Sequence, residues 1–266
     1  MSIIEAIILG LIQGITEFLP VSSSGHLQIG NSLFGLDQSG GENLSFSVVV
    51  HAGTALSTIV IFRKDILQIL YGLLQFKWND ETKFAVSILI SMLPVTFLGL
   101  LYEKELEELF NDQLLLVGAM LFITGALLYL ADKAKQTNKE VRGVEAFIIG
   151  FAQAIAVLPG ISRSGATIST SVLLGIDRRK AARFSFLMVL PVILGKIILD
   201  TREMVSDEAG GQGLDLLPLL LGFFAAFVTG LIACKWMIAL VRRAKLKFFS
   251  LYCFAVAGVL LIYELV

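Results

Sequence analysis

The stretch EAIILGLIQGITEFLPVSSSG at residues 5–25 recurs 140 positions later as EAFIIGFAQAIAVLPGISRSG, at residues 145–165. Nine of the 21 aligned positions are identical, and they include a Glu, a Gln and a Ser-x-Ser-Gly motif. Apolar composition alone accounts for shared Ile and Ala, but not for these aligned polar residues. The chain is therefore predicted to contain two copies of one unit, residues 1–135 and 141–266, in a single membrane domain.

The composition is that of an integral membrane protein. Of the 266 residues, 56% are hydrophobic and only 16% are charged, whereas soluble domains carry about 25% charged residues. We expect several membrane spans, with membrane lipid as the surroundings and no nucleic acid as a partner. Whether the chain forms a homodimer is left open.

Six apolar runs are long enough to cross a bilayer, which takes about 20 helical residues. Two further runs, Ile3–Val21 and Val144–Leu158, end abruptly in Pro, Gly and Ser. We interpret these as the first arms of re-entrant helical hairpins over residues 3–34 and 144–176. The six spanning runs are Ser45–Phe62, Phe84–Tyr102, Leu114–Ala131, Phe184–Leu199, Leu214–Val241 and Phe248–Val266.

The distribution of basic residues supports this topology. If only the six long runs cross, one face carries 16 Lys and Arg residues, and the other carries only Lys104 and Arg202. The positive-inside rule makes the first face cytoplasmic. Because each unit then crosses three times, the second copy is inverted relative to the first. The predicted fold is an all-α polytopic membrane protein of two inverted-topology repeats, each with one re-entrant hairpin and three transmembrane helices.

The hairpin tips, Ser22–His26 and Ser162–Thr167, are expected to meet inside the membrane near a pseudo-two-fold axis. Pro20 and Gly25 are expected to permit the first turn. Irregular backbone is tolerated at that depth only where it is packed in protein or lines a wet cavity. The tips would form one composite polar site from Glu17, Ser22, Ser23, Ser24, Gly25, His26, Ser162, Arg163, Ser164 and Thr167.

The two tips differ at the positions most suited to chemistry. Glu17, Ser23 and His26 of the first copy align with Val157, Arg163 and Ala166 of the second. One copy thus supplies a carboxylate and an imidazole, and the other supplies a guanidinium. Charged groups within a membrane are costly and mark functional sites by default.

Arg163 is predicted to bind an oxyanion, most naturally a phosphate. It lies in the segment PGISRSGAT, where a helix should begin near Ser164, and a helix N-terminus next to a guanidinium favours anions. The alternative is that Arg163 pairs with Glu17 as a structural lock. The Ser and Gly residues that flank both tips favour the anion site.

His26 is predicted to be a base or a nucleophile, because its ordinary pKa suits proton transfer. His51, in an apolar span, is interpreted as structural. Ser22 and Ser24 recur in the second copy and suit helix caps or anion donors. Ser23 is specific to the first copy and is the better nucleophile, activated by His26.

Glu17 could orient or protonate His26, or it could hold a divalent cation, with Mg²⁺ or Ca²⁺ as the candidates; no organic cofactor is expected. Gln13 lies one helical turn before Glu17 and would extend the polar site toward the substrate.

The segments QGITEFLPVSSSGH and PGISRSGAT together resemble the bacterial undecaprenyl-diphosphate phosphatase family, which is also known from bacitracin resistance. The similarity covers essentially the whole chain, including the FSFL stretch at 184–187 and the last two spans. It implies an inner-membrane enzyme that removes the terminal phosphate of a C55 isoprenoid diphosphate and so recycles the lipid carrier for cell-wall synthesis.

The resemblance also implies site residues. The family's first motif corresponds to Gln13 and Glu17; many members have Glu where this chain has Gln13. Its serines and histidine correspond to Ser22, Ser23 and His26, with Ser24 standing where some members have Thr. Its second motif corresponds to Ser162 and Arg163. The family's site opens toward the periplasm, and divalent cations support its activity.

A transporter or flippase of an anionic prenyl phosphate lipid is the competing interpretation, because inverted repeats and re-entrant hairpins are also typical of transporters. A transporter needs the composite site but neither a nucleophile nor a base.

Overall fold

The computed structural model describes residues 1–36, 41–102, 113–135, 137–206, 215–242 and 245–265. Within these ranges it contains eleven helices and no strand. Lys104 and Arg243, which enter the charge count, lie outside the described residues. The helices are α1 (Ile3–Thr16), α2 (Ser23–Phe34), α3 (Gly41–Ile61), α4 (Arg63–Leu74), α5 (Asp80–Leu101), α6 (Leu114–Lys133), α7 (Gly143–Ile155), α8 (Arg163–Leu173), α9 (Arg178–Ser206), α10 (Leu216–Arg242) and α11 (Leu246–Leu265).

The six predicted spans correspond to six of these helices: α3, α5, α6, α9, α10 and α11. Five of them are long and apolar enough to cross a membrane alone. The sixth, α3, meets that test together with α4, to which it is bent by 73°. The chain is an all-helical, multi-pass membrane protein, as predicted.

Helix α4 was not predicted. The sequence after Phe62 begins with Arg63 and Lys64, which lie outside the six predicted spans; the chain bends there and continues as a helix. Asp65 in its first turn accepts a 2.6 Å hydrogen bond from Nε of Arg183 on α9. That ion pair joins α4 to the beginning of α9.

Both predicted hairpins are helix pairs with a short irregular tip, α1–α2 and α7–α8. Each second helix has the same N-cap: Oγ of Ser22 accepts from the Gly25 N–H at 3.3 Å, and Oγ of Ser162 accepts from the Gly165 N–H at 3.0 Å. Ser/Thr caps of this kind satisfy N–H groups that a helix start leaves unpaired. The duplicated serines therefore begin equivalent helices.

The expectation that Gly25 permits the first turn is wrong. Gly25 lies inside α2, and Ser22 carries the left-handed backbone there, with φ of 69°. Gly25 is instead needed for close packing: a Cβ at this position would lie 3.0 Å from Cγ1 of Val117 and 3.3 Å from Cα of Gly160. It therefore lets the two hairpin tips approach each other.

The first arm of each hairpin packs closely against a spanning helix from the other half of the chain. Helix α1 packs on α10, where a Cβ on Gly10 would meet the Gly222 carbonyl oxygen at 2.4 Å. Helix α7 packs on α5, where a Cβ on Gly150 would meet the Ser91 carbonyl oxygen at 2.2 Å. Such contacts between small residues are a common means of helix association in membranes.

The basic ends of several helices lie together on one side of the bundle. Nη2 of Arg178, at the start of α9, donates to the carbonyl oxygens of Ala131, Asp132 and Ala134 at the end of α6. The Lys247 N–H, at the start of α11, donates to Asp132 at 3.1 Å. The ends of α6, α9 and α11 therefore share one face.

Candidate functional site

The two hairpin tips meet, as predicted. Oγ of Ser164 donates to the carbonyl oxygen of Leu19 at 3.3 Å. Gly165 lies against Pro20, since a Cβ on the glycine would be 3.3 Å from the proline Cβ. The N-termini of α2 and α8, with the side chains that flank them, therefore converge on one region of the membrane domain.

Glu17 lies at the centre of this region and is only 8% exposed. Its Oε1 pairs with Nη2 of Arg163 from the other hairpin. Its Oε2 accepts from Nε2 of Gln13 at 3.1 Å and from Oγ of Ser23 at 2.7 Å. A buried carboxylate needs this degree of pairing and hydrogen bonding to offset its desolvation. Gln13, expected to reach the substrate, is placed instead as a partner of Glu17.

Arg163 is bound on one side only. Nη2 is committed to Glu17, whereas Nη1 is buried and has no hydrogen-bond partner among the described residues. The side chain is the first residue of α8 and is 19% exposed. The guanidinium can therefore pair with Glu17 and still offer N–H groups to an oxyanion. The two roles considered for Arg163, a lock and an anion site, are compatible.

The Ser23 hydroxyl and the His26 imidazole have different partners. Ser23 donates to Glu17, while the two nitrogens of His26 contact the Ser22 carbonyl oxygen, at 2.7 Å, and Oη of Tyr252, at 2.8 Å. Both imidazole nitrogens are engaged by other groups, and the carboxylate that accepts from the Ser23 hydroxyl is that of Glu17. The expectation that His26 activates Ser23 directly is not matched by this arrangement.

The remaining predicted site hydroxyls belong mainly to the hairpin scaffold. Ser22 and Ser24 have their Oγ atoms 3.3 Å apart, and Ser162 and Ser164 repeat this spacing. Thr167 is fully buried and contacts Oγ of Ser185 on α9 at 2.6 Å. Of these five, Ser24 alone is partly exposed, so it is the hydroxyl placed to reach a ligand beside Ser23.

Few side chains at the hairpin tips could serve as ligands for a metal ion. Among the described residues there is no group of three His, Cys, Asp or Glu side chains that could hold one. Glu17 is the carboxylate that the hairpin tips supply, and it is the residue that the sequence analysis named. Mg²⁺ commonly binds through one or two carboxylates together with substrate phosphates, and Glu17 fits that pattern.

One residue of the site was missed. Tyr252, on α11, contacts His26, and an aromatic residue in an apolar helix gives no sequence signal for such a role. His51, interpreted as structural, has its Nδ1 2.8 Å from the Ser47 carbonyl oxygen on its own helix, α3.

Comparisons with known proteins agree with the motifs and the fold. Residues 6–259 match the family described as bacitracin resistance protein BacA. An undecaprenyl-diphosphatase of Christiangramia forsetii is 59% identical over 256 residues, which cover 96% of both chains. Undecaprenyl-diphosphatases of Bacteroides fragilis and Parabacteroides distasonis are 53% and 51% identical, over 97% and 98% of this chain and 96% and 98% of theirs. With its two hairpin motifs at one buried site and a match along almost its whole length, this chain belongs to the BacA bacitracin resistance family.

Proposed function

We propose that the protein is a membrane phosphatase that hydrolyses undecaprenyl diphosphate to undecaprenyl phosphate and inorganic phosphate. This reaction recycles the lipid carrier for cell-wall synthesis and gives resistance to bacitracin. The observation that carries the proposal is the placement of the Ser23 hydroxyl, 2.7 Å from a Glu17 carboxylate whose other oxygen pairs with Arg163. That arrangement holds a nucleophile, a base and an anion-binding group together inside a membrane domain.

The diphosphate binds at the tips, and the prenyl tail lies along the lipid-facing surface between spanning helices. Nη1 of Arg163 pairs with the terminal phosphate, and the N-termini of α2 and α8 supply further positive potential. Arg163 also stabilises the negative charge on the phosphoryl group during transfer, which is the main task of a protein in this chemistry.

In the first step Oγ of Ser23 attacks the terminal phosphorus while its proton passes to Oε2 of Glu17. The bond between Oγ and phosphorus forms as the bond from phosphorus to the bridging oxygen breaks. The bridging oxygen leaves with undecaprenyl phosphate, and the terminal phosphoryl group stays on Ser23. Gln13 holds the Glu17 carboxylate in place during this transfer.

In the second step a water molecule attacks the phosphorylated Ser23. The water gives a proton to Nε2 of His26, and Glu17 returns its proton to Oγ of Ser23 as the Oγ–P bond breaks. Inorganic phosphate leaves, and His26 releases its proton to solvent. A divalent cation, when bound, would be held by Glu17 and phosphate oxygens and would neutralise phosphate charge.

We propose further that the two halves are inverted repeats. The shift of 140 residues relates α1 to α7 and α5 to α10, so the packing of α1 on α10 corresponds to that of α7 on α5. The matching caps of α2 and α8 also support this relationship. The shared basic face of α6, α9 and α11 is then cytoplasmic, which directs the first hairpin and its site toward the periplasmic side of the inner membrane.

The test is phosphate release by purified protein in detergent, where no second compartment exists. The wild-type protein should release inorganic phosphate from undecaprenyl diphosphate, and Arg163→Ala, with normal folding, should not. A flippase would require the anion site but no attacking hydroxyl, and it would release no phosphate in this assay. Absence of release from folded wild-type protein would therefore favour the transporter interpretation.

A further inference from the structure

The imidazole of His26 is held at both nitrogens. Nδ1 lies 2.7 Å from the Ser22 carbonyl oxygen, and Nε2 lies 2.8 Å from Oη of Tyr252. A carbonyl oxygen can only accept a hydrogen bond, so Nδ1 must carry the proton of the neutral ring. Nε2 then holds the lone pair and accepts from the Tyr252 hydroxyl. The contacts thus select one tautomer of His26.

Tyr252 reaches His26 from the far end of the chain, 226 residues away. Its ring is stacked on the imidazole, with centroids 5.7 Å apart and planes inclined by 13°. The next residue, Cys253, is buried, and its sulfur lies 3.7 Å from the Pro20 carbonyl oxygen at the hairpin tip. The contact of Cys253 with the tip therefore places Tyr252 beside His26, and Tyr252 itself is 45% exposed.

The hydroxyl of Tyr252 is hydrogen-bonded to the nitrogen of His26 that the proposed hydrolysis step uses as its base. In the hydrolysis of phosphorylated Ser23, Nε2 of His26 receives a proton from the attacking water, so Nε2 has to be unprotonated beforehand. Free histidine favours the opposite neutral tautomer, with the proton on Nε2. Tyr252 opposes that preference by donating to Nε2, and the Ser22 carbonyl oxygen opposes it by accepting from Nδ1.

We propose that Tyr252 is a positioning residue for His26, which keeps Nε2 as an acceptor and covers it until water arrives beside the phosphorylated serine. The inference rests on the proposed phosphatase function. Tyr252 acts through His26, without touching the substrate. Its hydroxyl should therefore affect the turnover rate more than the binding of the diphosphate.

The decisive variant is Tyr252→Phe, which keeps the stacked ring and removes only the hydroxyl. The matched control is Tyr263→Phe, which removes a hydroxyl from an exposed tyrosine on the same helix. We expect Tyr252→Phe to lower kcat by about five- to tenfold, the size of effect that one hydrogen bond supports. KM should change by less than about twofold, and Tyr263→Phe should match the wild type.

A second readout detects the tautomer directly. The chain has only two histidines, so ¹⁵N-histidine spectra of protein with a histidine-free tag contain two imidazoles, and a His51→Gln sample assigns them. The wild type should show His26 with a protonated Nδ1 and a hydrogen-bonded, unprotonated Nε2. In Tyr252→Phe the ¹⁵N chemical shift of Nε2 should change. It should move toward the value of an unprotonated nitrogen that accepts no hydrogen bond, or toward that of a protonated nitrogen.

The two readouts separate this inference from the proposed function. Unchanged His26 resonances in Tyr252→Phe would overturn the pairing, and changed resonances with an unchanged kcat would overturn its link to turnover. A rise in KM without a change in kcat would also overturn the inference, since such a result would mean that Tyr252 contacts the substrate directly. If wild-type protein released no phosphate, the proposed function would fail, and with it the role in turnover, while the spectra would still report the pair.

Discussion

Glu17 and Arg163 form an ion pair that joins the two hairpin tips, although the residues are 146 positions apart in the chain. Neither hairpin could bury its charged residue alone without a large desolvation cost. The pair thus links the assembly of the fold to the assembly of the site. Glu17 also accepts from Ser23, and Nη1 of Arg163 has no hydrogen-bond partner within the part of the chain that the structure describes.

The first prediction separates the structural from the catalytic role of this pair. Glu17→Gln or Arg163→Gln leaves the opposite charge buried without its partner, which should lower the free energy of unfolding by about 3–5 kcal/mol. The double variant Glu17→Gln/Arg163→Gln should recover much of that loss, because two neutral amides can hydrogen-bond to each other. Thermal unfolding in detergent measures the stability of all three variants.

Phosphate release by the same variants completes this test. The double variant should remain inactive, with a loss of at least about a hundredfold, since it lacks both the base and the anion-binding group. A double variant no more stable than the singles would show that the pair is not a lock. A stable double variant that turned over normally would remove both residues from the mechanism.

The second prediction concerns the attacking hydroxyl. Ser23→Ala should lower turnover by about a thousandfold or more, as expected for loss of a nucleophile. Ser24→Ala, one residue away, should cost far less, because the Ser24 hydroxyl contacts Ser22 and not the Glu17 carboxylate. A reaction with substrate labelled in its terminal phosphate can be quenched during turnover. The labelled phosphoryl group should then be found covalently bound to the wild-type protein but not to Ser23→Ala. Retention of label by that variant would move the nucleophile to another residue.

The two hairpins and the contact between their tips were predictable, because a duplicated set of polar residues is easily recognised in an apolar chain. The aligned serines indicated shared helix caps or anion donors in both hairpins, since a repeated Ser-x-Ser-Gly cannot arise from hydrophobic composition, and Ser22 and Ser162 are such caps. The pairing of Glu17 with Arg163 was considered only as the alternative to an anion site, and the structure shows that pair.

Three features of the structure were not predicted from the sequence, each for a different physical reason. Helix α4 was not among the predicted elements because its basic start, Arg63 and Lys64, marks the end of an apolar run, whereas basic residues do not exclude a helix. The sequence suggested His26 as the partner of the Ser23 hydroxyl because it is the nearest titratable residue along the chain, whereas the end of the first hairpin arm brings the Glu17 carboxylate to that hydroxyl. The contact with Tyr252 depends on how α11 packs against the tip, which local sequence does not encode.

The third prediction concerns the packing of α7 on α5. In Gly150→Ala the new methyl group would lie 2.2 Å from the Ser91 carbonyl oxygen, so the helices must separate. Overpacking of this kind costs roughly 1–3 kcal/mol, and phosphate release should fall because α7 leads into the tip that carries Arg163. The control is Gly99→Ala on α5, where an added Cβ meets nothing within 4 Å. Equal unfolding temperatures for the two variants would argue against the close approach.

The fourth prediction concerns Arg178, which is buried and donates from Nη2 to three carbonyl oxygens at the end of α6, at 3.1–3.2 Å. Arg178→Ala should leave those oxygens without this donor, and hydrogen bonds to a charged group are worth about 1.5–3 kcal/mol. The neighbouring Arg179 is exposed, so Arg179→Ala removes the same charge without the bonds. We expect a clearly lower unfolding temperature for Arg178→Ala alone, with partial rescue by Arg178→Lys. Equal losses in the two alanine variants would instead mean that positive charge on this face, and not the contact with α6, stabilises the bundle.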